Sequence, residues 1–155
     1  MSVPHDTAIA IQNDIFTLTL DDYPPHGVLG GMSVDENLQT WQYAVDIIHR
    51  CLISDLWSIL NKEWMHYHGV ENYDFFCKKL SELNPFNLSD EGEIFWLEPL
   101  LSRTELSLSL IRKYGISCTS KDLCTPLICE IEDIFSVNGV SWEYGSFYPV
   151  AINIA

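Results

Sequence analysis

Positive charge is scarce in this sequence. Eight Lys and Arg stand against 22 Asp and Glu in 155 residues, a formal net of −14. Residues 1 to 49 carry no Lys or Arg, residues 122 to 155 carry none, and all eight bases lie between Arg50 and Lys121. They are dispersed, with Lys78-Lys79 and Arg112-Lys113 as isolated doublets. The electrostatic footprint of a nucleic-acid binder is therefore missing, and no nucleic-acid partner is expected. With nothing positive before Arg50, no secretory leader is expected. No apolar run nears the ~18 residues of a membrane span, so no membrane partner is expected either. Cys51, Cys77, Cys118, Cys124 and Cys129 are odd in number and form no CxxC pair. They read as reduced, mostly buried thiols of a cytoplasmic protein, with a disulfide between two of the last three as the alternative. The Gly-rich stretch Gly27 to Gly31 lacks the Lys and Ser/Thr of a phosphate loop, and no GxSxG nucleophile motif occurs.

Apolar material is plentiful. At 47% hydrophobic residues, with seven Phe, seven Tyr and five Trp, the chain can bury a core, which argues against disorder despite the acidity. Residues 1–155 are expected to form a single globular domain, with 1–8 a loose leader. The run Ser33 to Lys62 is its organising element. Val34, Leu38, Trp41, Val45, Ile48, Leu52 and Ile59 recur at helical spacing, Ala44, Ile47, Cys51, Leu56 and Leu60 widen the face, and no Gly or Pro interrupts. Ser33 and Glu36 have capping-box spacing. A central helix over about 33–62 follows, with His49, Arg50 and Asp55 on its polar side.

Ile9–Gln12 and Ile15–Leu20 alternate around Asn13-Asp14 and predict a hairpin. The tail from Val140 predicts two strands around a turn at Gly145-Ser146, with Pro149 marking an edge. A helix is expected from about Tyr73 to Leu83, and GEIFWLEP (94–98 at its centre) reads equally as strand or helix. Over 100–114 the alternation of LSLSL favours a strand. Ser102 with Glu105 as a capping box, Arg112 and Lys113 in a last turn, and Gly115 beyond it favour a helix, and these outweigh it. Thr125-Pro126 opens a helix to about Val137, closed by Asn138-Gly139. The expected fold is α+β: about four helices around the long one, with short antiparallel strands at both chain ends.

Catalytic chemistry is hard to assemble from these residues. His66 and His68, near Glu63, Glu71 and Asp74, are the best metal candidates, but no further His or paired Cys has ligand spacing. Cys118, Cys124 and Cys129 lie among acids that would blunt a thiolate. No catalytic residue, metal or cofactor is assigned, and the chain is expected not to be an enzyme. A small metal-assisted hydrolase using His66 and His68 is kept as the alternative from another class.

The acid clusters carry the remaining signal. Asp21, Asp22 and Tyr23 combine two acids with an aromatic at a break in the chain. Glu130, Glu132 and Asp133 share one helix that contains no base, and Trp142 and Tyr144 are residue types that anchor interfaces. Carboxylates around aromatics suit a Lys/Arg-rich protein. On these residues the chain resembles, in type, the immunity proteins of bacterial contact-dependent growth inhibition and other polymorphic toxin systems. That resemblance implies a small cytoplasmic protein, monomeric when free, that neutralises a cognate basic toxin domain such as a nuclease. Asp21, Asp22, Tyr23, Glu130, Glu132, Asp133, Trp142 and Tyr144 are the candidate partner-binding residues. A nucleic-acid mimic or adaptor is the alternative among binding proteins.

Overall fold

Helix ends, more than helix interiors, decide how this chain is divided. The computed structural model describes residues 1–30 and 38–150. Among them are seven α-helices and one two-stranded antiparallel sheet, an α+β fold. The elements are α1 (His5–Leu20), α2 (Leu38–Ile53), β1 (Trp57–Ile59), α3 (Lys62–Tyr67), α4 (Tyr73–Glu82), α5 (Asp90–Leu97), β2 (Leu101–Arg103), α6 (Glu105–Lys113) and α7 (Thr125–Val137). Short 3-10 turns occupy Pro25–Leu29 and Trp142–Tyr144. No helix among the described residues is long and apolar enough to cross a membrane.

The expected helix over 33–62 is corrected at its C-terminal end. Asp55 adopts φ +59°, and the amides of Asp55 and Leu56 donate back to the carbonyls of Leu52 (3.3 Å) and Cys51 (2.9 Å). That is a Schellman stop with Asp in the left-handed position usually held by Gly. Helices α3, α6 and α7 stop with the same return bonds through Gly69, Gly115 and Gly139. After the stop, Trp57 and Ile59 are buried as a strand, continuing the apolar count in another conformation. Leu38 and Leu60 are exposed, while His49 and Arg50, assigned to the polar side, are buried. The Ser33–Glu36 box and Val34 lie outside the described residues.

Among the described residues the strands are internal and seven helices replace the expected four; the end of the expected last strand, 151–155, lies outside the described residues. The N-terminal hairpin is instead α1, because Ala8, Ile11, Ile15 and Leu18 bury one helical stripe that overrides six alternating residues. Residues 1–8 are not a loose leader: Val3 is buried and α1 begins at His5. At the other end, the buried Arg50 guanidinium donates to the carbonyls of Val140 (2.9 Å), Ser141 (3.1 Å) and Gly145 (2.7 Å). Three carbonyls gathered on one cation curl the chain into a loop, and no hairpin ladder forms there. Helix α6 starts two residues later than expected: Ser102 sits in β2, and Thr104 with Ser107 makes the capping box. Residues 94–97 are helical, in α5.

By its contacts the chain forms two compact units. The first comprises Met1–Asp22, Arg50–Ser58 and Ser102–Gly145; the second comprises Tyr23–His49, Ile59–Leu101 and Ser146–Ala155. In the first, α1 packs on α6 and α7, and α7 packs on the Trp142–Tyr144 turn. Ile11, Ile15, Leu127, Ile131 and Phe135 form its core. Its polar interior is specific: Gln12 Nε2 donates to Asp122 O and accepts at Oε1 from Cys124 N, and Asn13 does the same with Ser120. In the second unit, Trp64 lies edge-on to Phe76 and Phe95. There Trp41 and Trp96 bury their rings while donating to Leu80 O and Leu83 O.

Candidate functional site

Two hydrogen-bonded contacts orient the acid-bearing elements of the first unit. Near the start of α1, the amides of Ser2 and Val3 and the Ser2 hydroxyl all donate to Glu132 Oε1. Further along α1, Gln12 holds Cys124, the residue before α7. Helices α1 and α7 therefore run antiparallel. Asp21 and Asp22 lie roughly 15 Å of helix rise beyond Gln12 at one end, and Asp133 lies toward the other. The candidate residues do not form one patch.

Their individual settings differ as much as their places. Glu130 is paired with Lys113 at 2.9 Å, and that ammonium, with help from the Tyr114 hydroxyl, holds its carboxyl below the usual range. Glu132 is occupied by the N-terminal residues. The expectation that nothing opposes the charge of α7 is thus corrected: the opposing groups come from α6 and from residues 2 and 3. Asp133 stays exposed. Tyr23, in the second unit, bridges Leu101 backbone to backbone at 3.3 and 2.9 Å. Its ring lies so near Gly27 that an added Cβ would come within 2.6 Å of it, so its role is structural. Asp21 and Asp22, with Thr19, Ser102 and Arg103, line a polar hollow of about 280 Å3, where the Arg103 guanidinium donates to Thr19 O.

Trp142 is half-buried, with the Arg50 guanidinium 4.5 Å from its ring centre. Next to it Glu143 and Tyr144 are exposed, Tyr144 at 69%. On the neighbouring α7, Asp133 and Val137 are exposed at i, i+4, Val137 at 86%. Glu143 and Tyr144 stand on a turn whose flanking backbone is held by Arg50, and Asp133 and Val137 stand on the helix packed against that turn.

No protein-family model matches the chain, and no curated protein or solved structure matches it either.

The second unit holds the residues of the alternative reading. His66 is exposed in a hollow of about 610 Å3 with Lys62, Met65, Val70 and Glu71. His68 turns elsewhere, its ring 5.0 Å from that of Trp64 and its Nε2 3.7 Å from Glu98. The two imidazoles are not brought to one centre. Among the described residues no group of three or more His, Cys, Asp or Glu is placed to hold a metal ion. The cysteines are free, but fewer are buried than expected: Cys51 and Cys77 are buried, whereas Cys118 and Cys129 are exposed. Burial pushes the Cys51 and Cys77 thiols well up, the reverse of an activated nucleophile.

A second constellation in this unit escaped the sequence. His49 Nε2 lies 3.0 Å from Asp74 Oδ1, which also accepts from the Tyr148 hydroxyl at 2.7 Å. That hydroxyl, with a smaller contribution from His49, holds Asp74 below the usual carboxylate range. Burial, then Asp74, pushes the Tyr148 phenol well up. His49 and Arg50 share a cause for being missed. From Ile47 to Leu52 the helix is buried on every side, so polar residues there are interior by position whatever their side of the wheel.

Proposed function

We propose that this chain is an acidic immunity or inhibitor protein of the cytoplasm, acting by binding and not by catalysis, whose partner is a basic toxin domain of the nuclease kind. The observation that carries this reading is the surface formed by Asp133, Val137, Glu143 and Tyr144. An exposed aromatic and an exposed aliphatic side chain lie among carboxylates on a preorganised backbone. Preorganisation lowers the ordering cost of association, and carboxylates around an apolar anchor select Lys- and Arg-bearing surfaces. The formal charge of −14 adds a long-range field that attracts such a partner and repels polyanions. In this reading Tyr144, 69% exposed, replaces the half-buried Trp142 as the anchor, and Glu130 and Glu132 serve the fold. The metal-assisted hydrolase is not carried further, because His66 and His68 face different neighbours.

The test takes the product of the reading frame next to this one as the candidate partner, with rates measured at two salt concentrations. Asp133→Asn with Glu143→Gln should slow association and flatten its salt dependence. Tyr144→Ala should raise dissociation, by the ~30-fold or more of a hot spot worth about 2 kcal/mol. Association indifferent to salt and to both acid substitutions sinks the proposal.

A further inference from the structure

Residues 146–150, Ser-Phe-Tyr-Pro-Val, lie along α2 and α4 within the second unit as a ligand would. Ser146 Oγ donates to Asp46 Oδ2 at 2.9 Å. Gln42 Nε2 donates to Tyr148 O at 3.1 Å, and Gln42 Oε1 accepts from Val150 N at 2.8 Å. The Gln42 amide thus spans Pro149, the one residue in the segment with no N–H to satisfy. Tyr148 donates to Asp74, and the His49 ring lies 5.2 Å from that of Phe147 and 5.0 Å from that of Tyr148. None of its five residues is fully buried. Side-chain hydrogen bonds and ring contacts hold this segment.

We propose that Gln42, Asp46, His49 and Asp74 form a sequence-reading peptide site, filled in cis by residues 146–150 and able to take the same segment from a second copy of this chain. The occupant is identified by the contacts themselves. A hydroxyl for Asp46, an aromatic pair for His49, a phenol for Asp74 and a proline under Gln42 define one short sequence, and the tail of another copy carries it. The tail leaves the preceding turn at Gly145, whose φ of +71° with ψ −160° is open to glycine and strained for other residues. Exchange makes and breaks identical contacts, so the cis form prevails in dilute solution through its effective concentration, on the order of millimolar for a short tether.

Two full-length variants separate site from segment. Phe147→Ala/Tyr148→Ala keeps the site and spoils the tail; Gln42→Ala/Asp74→Asn keeps the tail and spoils the site. Each alone should sediment as a monomer, and an equimolar mixture at about 100 µM should give a species of doubled mass. A labelled synthetic peptide of residues 145–150 should bind the first variant and neither the second nor the unaltered chain. Where circular dichroism shows the first variant unfolded, Phe147→Ala alone takes its place in both measurements. A mixture that stays monomeric, with a peptide that fails to bind the folded tail variant, overturns the proposal.

Discussion

Replacing Arg50 by Met tests the most consequential contact in the first unit. Arg50 is 1% exposed, its guanidinium holds three backbone carbonyls, and it packs against the Trp142 ring. Met keeps most of the stem and volume, so the change isolates the head group. A hydrogen bond to a charged donor is worth about 1.5–3 kcal/mol net. The full loss applies at Val140, which is 5% exposed; water can replace the donor at Ser141 and at the exposed Gly145. The contact with Trp142 adds about 0.5–2 kcal/mol. Against these stands the desolvation cost that the wild-type cation already carries, which the substitution recovers. The expected loss is roughly 2–5 kcal/mol, a large share of the ~5–15 kcal/mol by which a domain is stable. Leu52→Ala, at a site 3% exposed, is the control, with a similar loss of roughly 2–5 kcal/mol from transfer and cavity terms. Urea unfolding followed by tryptophan emission measures both. Only Arg50→Met should also change the near-ultraviolet dichroism of the native state, because only it releases Trp142. A loss below about 1 kcal/mol with an unchanged native spectrum would refute the platform built on Arg50.

The Asp74 carboxyl is depressed in the folded state, so its contribution is full above the unfolded value near ~3.9 and fades as pH falls through the folded one. Asp74→Asn should therefore be less stable than wild type at pH 7 and converge with it in acid; a pH-independent gap in urea midpoints would contradict this. The Tyr148 and Tyr114 phenols are raised, so each should ionise at higher pH than a free tyrosine in an alkaline ultraviolet titration. Tyr148→Phe should remove one late step. With a disulfide-exchange thiol reagent, Cys118 and Cys129 should react in the native protein, while Cys51 and Cys77 wait for unfolding; four equal rates would contradict their burial.

What the sequence revealed followed from how local the deciding interaction was. Helix α7 was legible at both ends, because Thr125-Pro126 and Asn138-Gly139 carry their own backbone preferences. The end of α2 was not, because Asp55 takes a conformation that Gly would have announced. The terminal strands failed for a different reason. Six alternating residues in α1 and the aromatic alternation of the tail were outweighed by partners far along the chain, Ser120 to Cys124 for α1 and Arg50 for the loop at 140–145. Of the candidate site, acidity and aromatic content could be read directly. Which acids remain on the surface could not, since Lys113 and the N-terminal amides claim Glu130 and Glu132 through folding alone.

The paired amides of Gln12 and Asn13 bear on how this chain leaves the ribosome. Their partners, Ser120, Asp122 and Cys124, lie more than a hundred positions downstream, so a nascent chain that has exposed α1 still lacks the groups that complete its polar interior. Gln12 is 1% exposed in the finished protein, and burying it earlier would strand an amide without partners. The first unit is thereby barred from closing until residues 120–124 have emerged. Until then α1 keeps its apolar stripe open, the kind of exposed segment that chaperones bind.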